Sequence, residues 1–148
     1  MTRGPVVNHV GHCVTDLDRS VRFYTELLGF EVGWEITVPD DPTGYLLDIP
    51  APVGLRAVYL RAGAFVLELL HFDRSGNPAP ARRVFNEPGL THISICVDDP
   101  ASVVDRVADF GGSVAASMLP MAAIIRDPDG QLLELLPMSY RERIARDS

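Results

Sequence analysis

Two histidine–glutamate pairs occupy equivalent positions of an internal repeat in this sequence. His9 and His92 each begin an apolar run, and the two runs carry a cysteine and an aspartate at matching positions farther on. Glu68 and Glu134 each lie within a Leu-Glu-Leu-Leu run in the same half as their histidine. Each half of the chain therefore supplies one imidazole and one carboxylate in strand-like surroundings.

This set of side chains has the chemistry of a metal site. A carboxylate between leucines is costly to bury unless it is paired or bound to a cation. Two imidazoles and two carboxylates suit Zn, Ni, Co, Mn or Fe(II) better than Ca or Mg. A divalent metal ion with four protein ligands keeps positions open for water or substrate and acts as a Lewis acid, while a carboxylate acts as base. We therefore predict one metal site, in which Glu134 or Glu68 is the base. Its four ligands are His9, Glu68, His92 and Glu134.

The alternative interpretation gives the same side chains ordinary surface roles. The histidines would be polar residues at strand starts, and the glutamates would point to solvent or pair with arginines. The candidate arginines are Arg56, Arg61 and Arg126. A single pair would favour this alternative, but two pairs in register across a repeat favour the site.

Alternation along the first strand of each half predicts which face carries the site. In the first half, over residues 6–14, one face holds His9, Gly11 and Cys13, and its small side chains leave room above the sheet. The opposite face contains valines and is expected to pack against a helix. His92 and the cysteine at position 96 take the same places in the second half.

Each half follows the order strand, helix, three strands. Asp16 is the expected N-cap of the first helix, which ends at Gly29. A loop over residues 39–44 is predicted to precede a short strand over residues 45–48. Two such units predict an α+β fold built of two βαβββ modules.

The expected organisation is a single domain over residues 1–148. Module one spans about residues 6–71, a linker 72–89 and module two 90–137. A tail follows over residues 138–148.

Composition limits the partners and the compartment. The chain has 148 residues, of which 47% are hydrophobic and 22% charged, and its net charge is -7. No apolar run approaches the roughly 20 residues that span a bilayer, so we expect a cytoplasmic protein without a membrane partner. The absence of a Lys/Arg cluster argues against nucleic acid as a partner. The two cysteines are expected to be buried and reduced.

Several short motifs together resemble the vicinal oxygen chelate superfamily. They are His9-Val-Gly, Phe23-Tyr24 before Leu28-Gly29-Phe30, Leu67-Glu68-Leu69, Leu-Thr-His92-Ile-Ser, and Asp127-Pro-Asp-Gly before Leu133-Glu134-Leu. The superfamily includes glyoxalase I, methylmalonyl-CoA epimerase, extradiol dioxygenases, fosfomycin-resistance thiol transferases and bleomycin-binding proteins. The resemblance implies paired βαβββ modules, a cupped mixed β-sheet and a homodimer. It also places the four metal positions on the same two pairs, as in bacterial glyoxalase I.

Comparison within the superfamily narrows the activity. Epimerases carry glutamine at the position of Glu68, extradiol dioxygenases need no ligand there, and bleomycin-type binders lack the ligand set. Glutathione-dependent glyoxalase I has an arginine where this chain has Cys13 and an asparagine where it has Phe72. The glutathione contacts of that enzyme are therefore missing from this chain.

The predicted function is that of a metal-dependent, glyoxalase-like lyase or isomerase. It would abstract a proton next to a metal-bound carbonyl or next to vicinal oxygens of a small substrate. The alternatives are a methylmalonyl-CoA epimerase-like isomerase, a non-catalytic antibiotic-binding resistance protein and an extradiol dioxygenase. Four further residues are candidates for lining the cavity and selecting the substrate: Tyr45, Asp48, Arg56 and Tyr59.

Overall fold

The computed structural model describes residues 4–141. The described chain divides into two compact units. The first contains the residues up to Val21 together with Gly29–Asn77, and the second contains Arg22–Leu28 together with the residues from Pro78 onward. The predicted single domain, with its module, linker and tail boundaries, stays a prediction. Positions 142–148 of the predicted tail lie outside the described residues.

The first unit is built on a four-stranded mixed sheet of order β1-β4-β3-β2. Strands β1 and β4 are parallel, and the other two pairs are antiparallel. Gly63 has φ 60° and lies in the tight turn between β3 and β4, where a residue without Cβ avoids strain. The strands are β1 Val10–Cys13, β2 Glu31–Thr37, β3 Leu55–Ala62 and β4 Phe65–Phe72.

Helix α1, Leu17–Arg22, begins where the sequence predicted. The backbone N–H of Arg19 donates to Asp16 Oδ1 at 3.0 Å, which satisfies one of the free donors at the helix start. A π-helical turn, Phe23–Leu27, continues the chain within the second unit. Gly29, with φ 75°, follows this helical segment as predicted.

The predicted loop over residues 39–44 and the predicted short strand over residues 45–48 are wrong. Residues Asp40–Leu47 form helix α2, which ends at Asp48 in the left-handed region with φ 54°. Pro39 is extended at the N-cap, and the acidic residues Asp40 and Asp41 occupy the first turn, where the helix dipole favours negative charge. Pro42 also lies in that first turn, where a missing N–H costs no intrahelical bond. The short apolar run after Gly44 fits either element, and the turn-like residues before it concealed the helix start.

The second unit repeats this arrangement with a sheet of order β5-β8-β7-β6, in which β5 and β8 are parallel. Asp99 caps helix α3, Pro100–Arg106, by accepting from the backbone N–H groups of Ala101 and Ser102. A 3₁₀ turn, Val107–Phe110, follows and ends at Gly111 with φ 80°. The strands are β5 His92–Val97, β6 Ser113–Met118, β7 Ala122–Arg126 and β8 Leu132–Pro137. Two βαβββ modules with mixed sheets in an α+β fold were predicted, and both are confirmed.

Both sheets contain the same register shift, in the β2–β3 pairing of the first and in the β6–β7 pairing of the second. Between β2 and β3 the register shifts between Val32 and Trp34, so Gly33 is the extra residue. Between β6 and β7 it shifts between Val114 and Ala116. One extra residue in a strand bends it and re-aims the side chains that follow.

Alternation along β4 and β8 separates the core from the open face of each sheet. Leu67 and Leu69 are fully buried, and so are Leu133 and Leu135 in the other unit. The glutamate between each pair of leucines must then point to the opposite face. Packing of the leucines therefore determines where the glutamates are presented.

A buried polar contact supports the second unit. The hydroxyl of Tyr24 donates to Asp127 Oδ2 at 3.0 Å, and both side chains are buried. Burial, together with the nearby Asp127 carboxylate, raises the pKa of Tyr24 well above its ordinary value. Asp127 also accepts from the backbone N–H groups of Asp129 and Gln131, which stabilises the turn that the sequence predicted there.

The expectation of two buried cysteines is wrong. Cys13 is exposed and Cys96 is half-buried, and neither forms a disulfide. Cys13 shares a face of β1 with the exposed Gly11, and the apolar neighbours in sequence belong to the other face. Among residues 4–141, no helix is long and apolar enough to cross a membrane.

Candidate active site

The first histidine–glutamate pair is formed within the first unit. His9 directly precedes β1, which begins later than the predicted strand, and Glu68 lies on β4 in register with Gly11. His9 Nε2 is 3.1 Å from Glu68 Oε2. The His9 side chain is 34% exposed and the Glu68 side chain 13%, so the pair is partly accessible to solvent.

The other ring nitrogen of His9 fixes what Nε2 offers to the carboxylate. His9 Nδ1 is 2.6 Å from Asn8 Oδ1, and an amide oxygen can only accept, so the tautomer that makes this hydrogen bond carries its hydrogen on Nδ1. A neutral ring then presents the Nε2 lone pair to Glu68 Oε2. Two acceptors at this separation repel each other unless a proton or a metal cation lies between them.

Tyr59 holds the second oxygen of Glu68. The two residues are partners in the β3–β4 register, and the Tyr59 hydroxyl donates to Glu68 Oε1 at 2.5 Å. Burial, and then the hydrogen bond with Glu68, raise the pKa of Tyr59 to about 12, so the phenol keeps its proton at neutral pH. The ring of Trp34 stacks on Tyr59, with centroids 5.3 Å apart and planes at 24°.

The second pair is formed within the second unit by His92, at the start of β5, and Glu134 on β8. His92 Nε2 is 3.8 Å from Glu134 Oε2, and the side chains are 32% and 31% exposed. Ser94, the register partner of Glu134, donates through Oγ to Glu134 Oε2 at 2.6 Å. Thr91 Oγ1 is 2.9 Å from His92 Nδ1 and takes the place that Asn8 Oδ1 has beside His9. The ring of Phe85 lies against His92 at 5.0 Å.

The predicted site residues are therefore brought together as two pairs, each within its own unit. No group of three or more His, Cys, Asp or Glu side chains suited to a metal occurs in the part of the chain that the structure describes. The assignment of all four side chains to one metal ion stays a prediction.

The arginines proposed as alternative partners of the glutamates make other contacts. Arg56 pairs with Glu35 at 2.9 Å, and Arg61 lies 4.0 Å from Glu31. Arg126 donates to the backbone carbonyls of residues 83 and 130. These contacts favour the site over the interpretation that arginines neutralise the glutamates.

The donor chemistry of both pairs fits a divalent transition metal. Imidazole nitrogen and carboxylate oxygen bind zinc-like ions at about 2.1 Å, so two such ligands at right angles are separated by roughly 3 Å. The 3.1 Å between His9 and Glu68 agrees with this value, and the 3.8 Å of the second pair is somewhat wider. Asn8 and Thr91 contact the Nδ1 atoms of the two histidines and orient the rings, as outer-shell partners of metal ligands do.

Sequence reasoning missed the roles of residues that surround these pairs. Tyr59 was expected only to line a cavity, and Trp34 and Phe85 were not singled out. A signal for Tyr59 was available, because a two-residue turn at Gly63 fixes the hairpin register and places Tyr59 opposite Glu68. For Trp34, the extra residue in β2 shifts the alternation between the two faces of the sheet. Alternation in the sequence therefore does not show that Trp34 lies beside Tyr59.

Comparison with known proteins agrees with the fold. The model of the Glyoxalase/Bleomycin resistance protein/Dioxygenase superfamily matches residues 6–135. A probable lactoylglutathione lyase of Synechocystis is 26% identical over 143 residues, covering 87% of this chain and 92% of the relative. A probable chloroplastic lactoylglutathione lyase of Arabidopsis thaliana is 30% identical over 86% of this chain, which spans only 34% of that relative. Methylmalonyl-CoA epimerase of Bos taurus is 31% identical over 65% of this chain and 51% of its own length.

Solved structures give the same result. Glyoxalase I of Leishmania major, described as trypanothione-dependent, is 26% identical with a TM-score of 0.67, covering 94% of this chain and 91% of its own. A glyoxalase family protein of Bacillus cereus has a TM-score of 0.74 at 19% identity, covering 93% and 97% of the two chains, and it shares the fold. The chain belongs to the Glyoxalase/Bleomycin resistance protein/Dioxygenase superfamily.

Proposed function

We propose that this protein is a metal-dependent lyase or isomerase of the glyoxalase type. The observation that carries the proposal is the repeated His–Glu pair on the open face of each sheet, with a histidine Nε2 directed at a carboxylate oxygen in both units. The lactoylglutathione lyases among the relatives support the same reaction class. The proposal extends the pairs to one shared divalent ion, drawn from Zn, Ni, Co, Mn or Fe.

The residues that would hold the ion are His9, Glu68, His92 and Glu134. A divalent ion bound there supplies Lewis acidity, which polarises a carbonyl or vicinal oxygens and acidifies the adjacent C–H. The protein's own contribution is to orient the ligands through Asn8 and Thr91 and to provide a carboxylate that accepts the proton. This is proton abstraction next to a carbonyl on a small oxygenated substrate.

Glu134 is better suited than Glu68 to be the base. Glu68 is contacted on both oxygens, by Tyr59 and by His9, and only 13% of its side chain is exposed. Glu134 is 31% exposed, and its one hydrogen bond comes from Ser94, whose hydroxyl can rotate away. A base must reach the substrate and change partners during the reaction, which favours Glu134.

The positions expected for glutathione contacts support a different substrate. Cys13 is exposed at the end of β1, and Phe72 is half-buried at the end of β4. Neither side chain provides the cation or amide that binds a peptide carboxylate. The proposed substrate therefore lacks the glutathione moiety.

Metal content tests the proposal most directly. Protein purified without chelator should contain about one transition-metal ion per chain by elemental mass spectrometry, and both His9→Ala and His92→Ala should lose it. His71→Ala is the matched control, because His71 Nδ1 contacts the Val14 carbonyl instead of a glutamate. Two ions per chain, with one lost in each variant, would contradict the shared site. Protein that refuses every added metal would contradict metal-dependent catalysis.

A second candidate is a CoA-thioester epimerase, which is favoured by the bovine relative. It uses the same proton abstraction on a thioester substrate. A panel of acyl-CoA epimers and of hemithioacetals formed with different thiols separates the two activities. Extradiol cleavage would show itself as oxygen uptake with a catechol and Fe(II), and an antibiotic-binding protein would bind drug without metal.

We also propose that the protein forms a homodimer, as the superfamily resemblance implies, and that it acts in the cytoplasm. Light scattering coupled to size exclusion tests the oligomeric state. A mass of one chain at micromolar concentration would contradict the homodimer.

A further inference from the structure

Tyr59 makes contacts with both members of the first pair. Its hydroxyl donates to Glu68 Oε1, and its ring meets the His9 ring edge to face, with centroids 5.4 Å apart and planes at 85°. Glu68 Oε2 is the oxygen left for His9, at 3.1 Å. One side chain thereby assigns the two oxygens of Glu68 to different partners.

The position of Tyr59 is itself well fixed. Trp34, its register partner on β2, stacks on the ring face, while His9 contacts the ring from another direction. Aromatic contacts of this kind are favourable beyond the apolar area that they bury. A phenol restrained in this way loses little further freedom when it binds Glu68, so the hydrogen bond is well suited to orienting a carboxylate.

The βαβββ fold does not require a tyrosine at this position. In the second unit the residue in register with Glu134 is Ile124, which has no hydrogen-bonding group. Ile124 packs at the equivalent place in an equally regular sheet. The packing of the sheet therefore does not account for the Tyr59 hydroxyl, whereas its hydrogen bond to Glu68 does.

We infer that Tyr59 is a positioning residue that holds Glu68 as a one-oxygen metal ligand, with Oε2 turned toward His9. This inference rests on the proposed function, because it assigns Glu68 to a metal ion. Without the hydroxyl, Glu68 would rotate among several orientations, and each bound ion would have to select the productive one.

The test is a titration of the metal-free protein with Co²⁺, followed by visible absorption. Tyr59→Phe keeps the ring against Trp34 and His9 and removes only the hydroxyl. We expect the Co²⁺ Kd to rise about 10- to 100-fold, the usual effect of losing an outer-shell partner. Tyr140→Phe is the matched control, since Tyr140 follows strand β8, is 37% exposed and belongs to neither pair, so it should titrate like wild type. An unchanged or lower Kd in Tyr59→Phe would overturn the inference.

A double-mutant cycle distinguishes positioning from a general structural effect. If Tyr59 acts through Glu68, then Tyr59→Phe should cause little further loss of Co²⁺ affinity when Glu68→Ala has already removed the carboxylate. Equal losses in both backgrounds would overturn the inference. Should Tyr59→Phe fail to fold, Trp34→Ala releases the same ring from the other side, and it should weaken Co²⁺ binding by a smaller factor. An unchanged Kd in Trp34→Ala would then count against the inference.

The same titration separates this inference from the proposed function. Wild-type protein without any Co²⁺ absorption would refute the metal site itself. Normal binding by wild type and by Tyr59→Phe would leave the metal site intact and refute only the role of Tyr59.

Discussion

The two histidine–glutamate pairs occupy the same register positions but differ in their surroundings. In the first unit Glu68 lies between Gly11 and Tyr59, and in the second Glu134 lies between Ser94 and Ile124. The first carboxylate is therefore held by a rigid phenol, while the second is held by a hydroxyl that can rotate. A repeated motif can therefore hold one carboxylate rigidly and leave its counterpart freer to move.

Replacing each glutamate by glutamine in turn tests whether the two carboxylates have different roles, and it should change kcat the most. Glu134→Gln should lower kcat by about 10²–10⁴-fold at saturating metal, because an amide cannot accept the substrate proton. Glu68→Gln should mainly weaken metal binding and retain more of kcat once metal is saturating. Turnover of the substrate found in the panel above measures both. Equal losses of kcat in the two variants would contradict the division between ligand and base.

A tyrosine introduced opposite Glu134 tests whether a phenol also restrains the carboxylate of the second unit. Ile124→Tyr places a donor opposite Glu134 at the position that Tyr59 has opposite Glu68. We expect kcat to fall by about tenfold, since one added hydrogen bond to a carboxylate stabilises its resting state by roughly 1.5 kcal/mol. Ile124→Phe is the control for added bulk, and an equal fall of kcat in that variant would attribute the effect to size.

Removal of the Ser94 hydroxyl beside Glu134 should have a smaller effect on the reaction rate. Ser94→Ala removes the 2.6 Å hydrogen bond to Glu134 Oε2. A typical hydrogen bond contributes about 1 kcal/mol net, so releasing the resting carboxylate should raise kcat/KM by roughly fivefold. Ser117→Ala on the exposed strand β6 provides the control. A loss as large as that of Glu134→Gln would show that Ser94 itself takes part in the reaction.

The repeat made the pairs predictable from sequence. His9 with Glu68 and His92 with Glu134 could be matched because each glutamate lies between leucines whose burial fixes its direction. The βαβββ order could be read from alternation and from capping residues such as Asp16.

Other features depend on information that alternation alone does not contain. Helix α2 was missed because its first turn consists of residues that are equally common in loops. The exposure of Cys13 was missed because the cysteine was expected to be buried within an apolar run, although its face of the strand was predicted to have room above it. The stacking of Trp34 on Tyr59 depends on the extra residue in β2, which shifts the pairing by one position.

The shared register shift at Gly33 and at Ala115 also bears on how such a protein can diverge. Because the irregularity occurs at the same point of both sheets, each residue in the row across one sheet has a defined counterpart in the other. The row Trp34, Tyr59, Glu68 and Gly11 corresponds to Ala116, Ile124, Glu134 and Ser94. After duplication of an ancestral module, one copy could acquire new chemistry at these positions while the other preserved the old. The paired rows would then serve as a record of which substitutions each copy accepted.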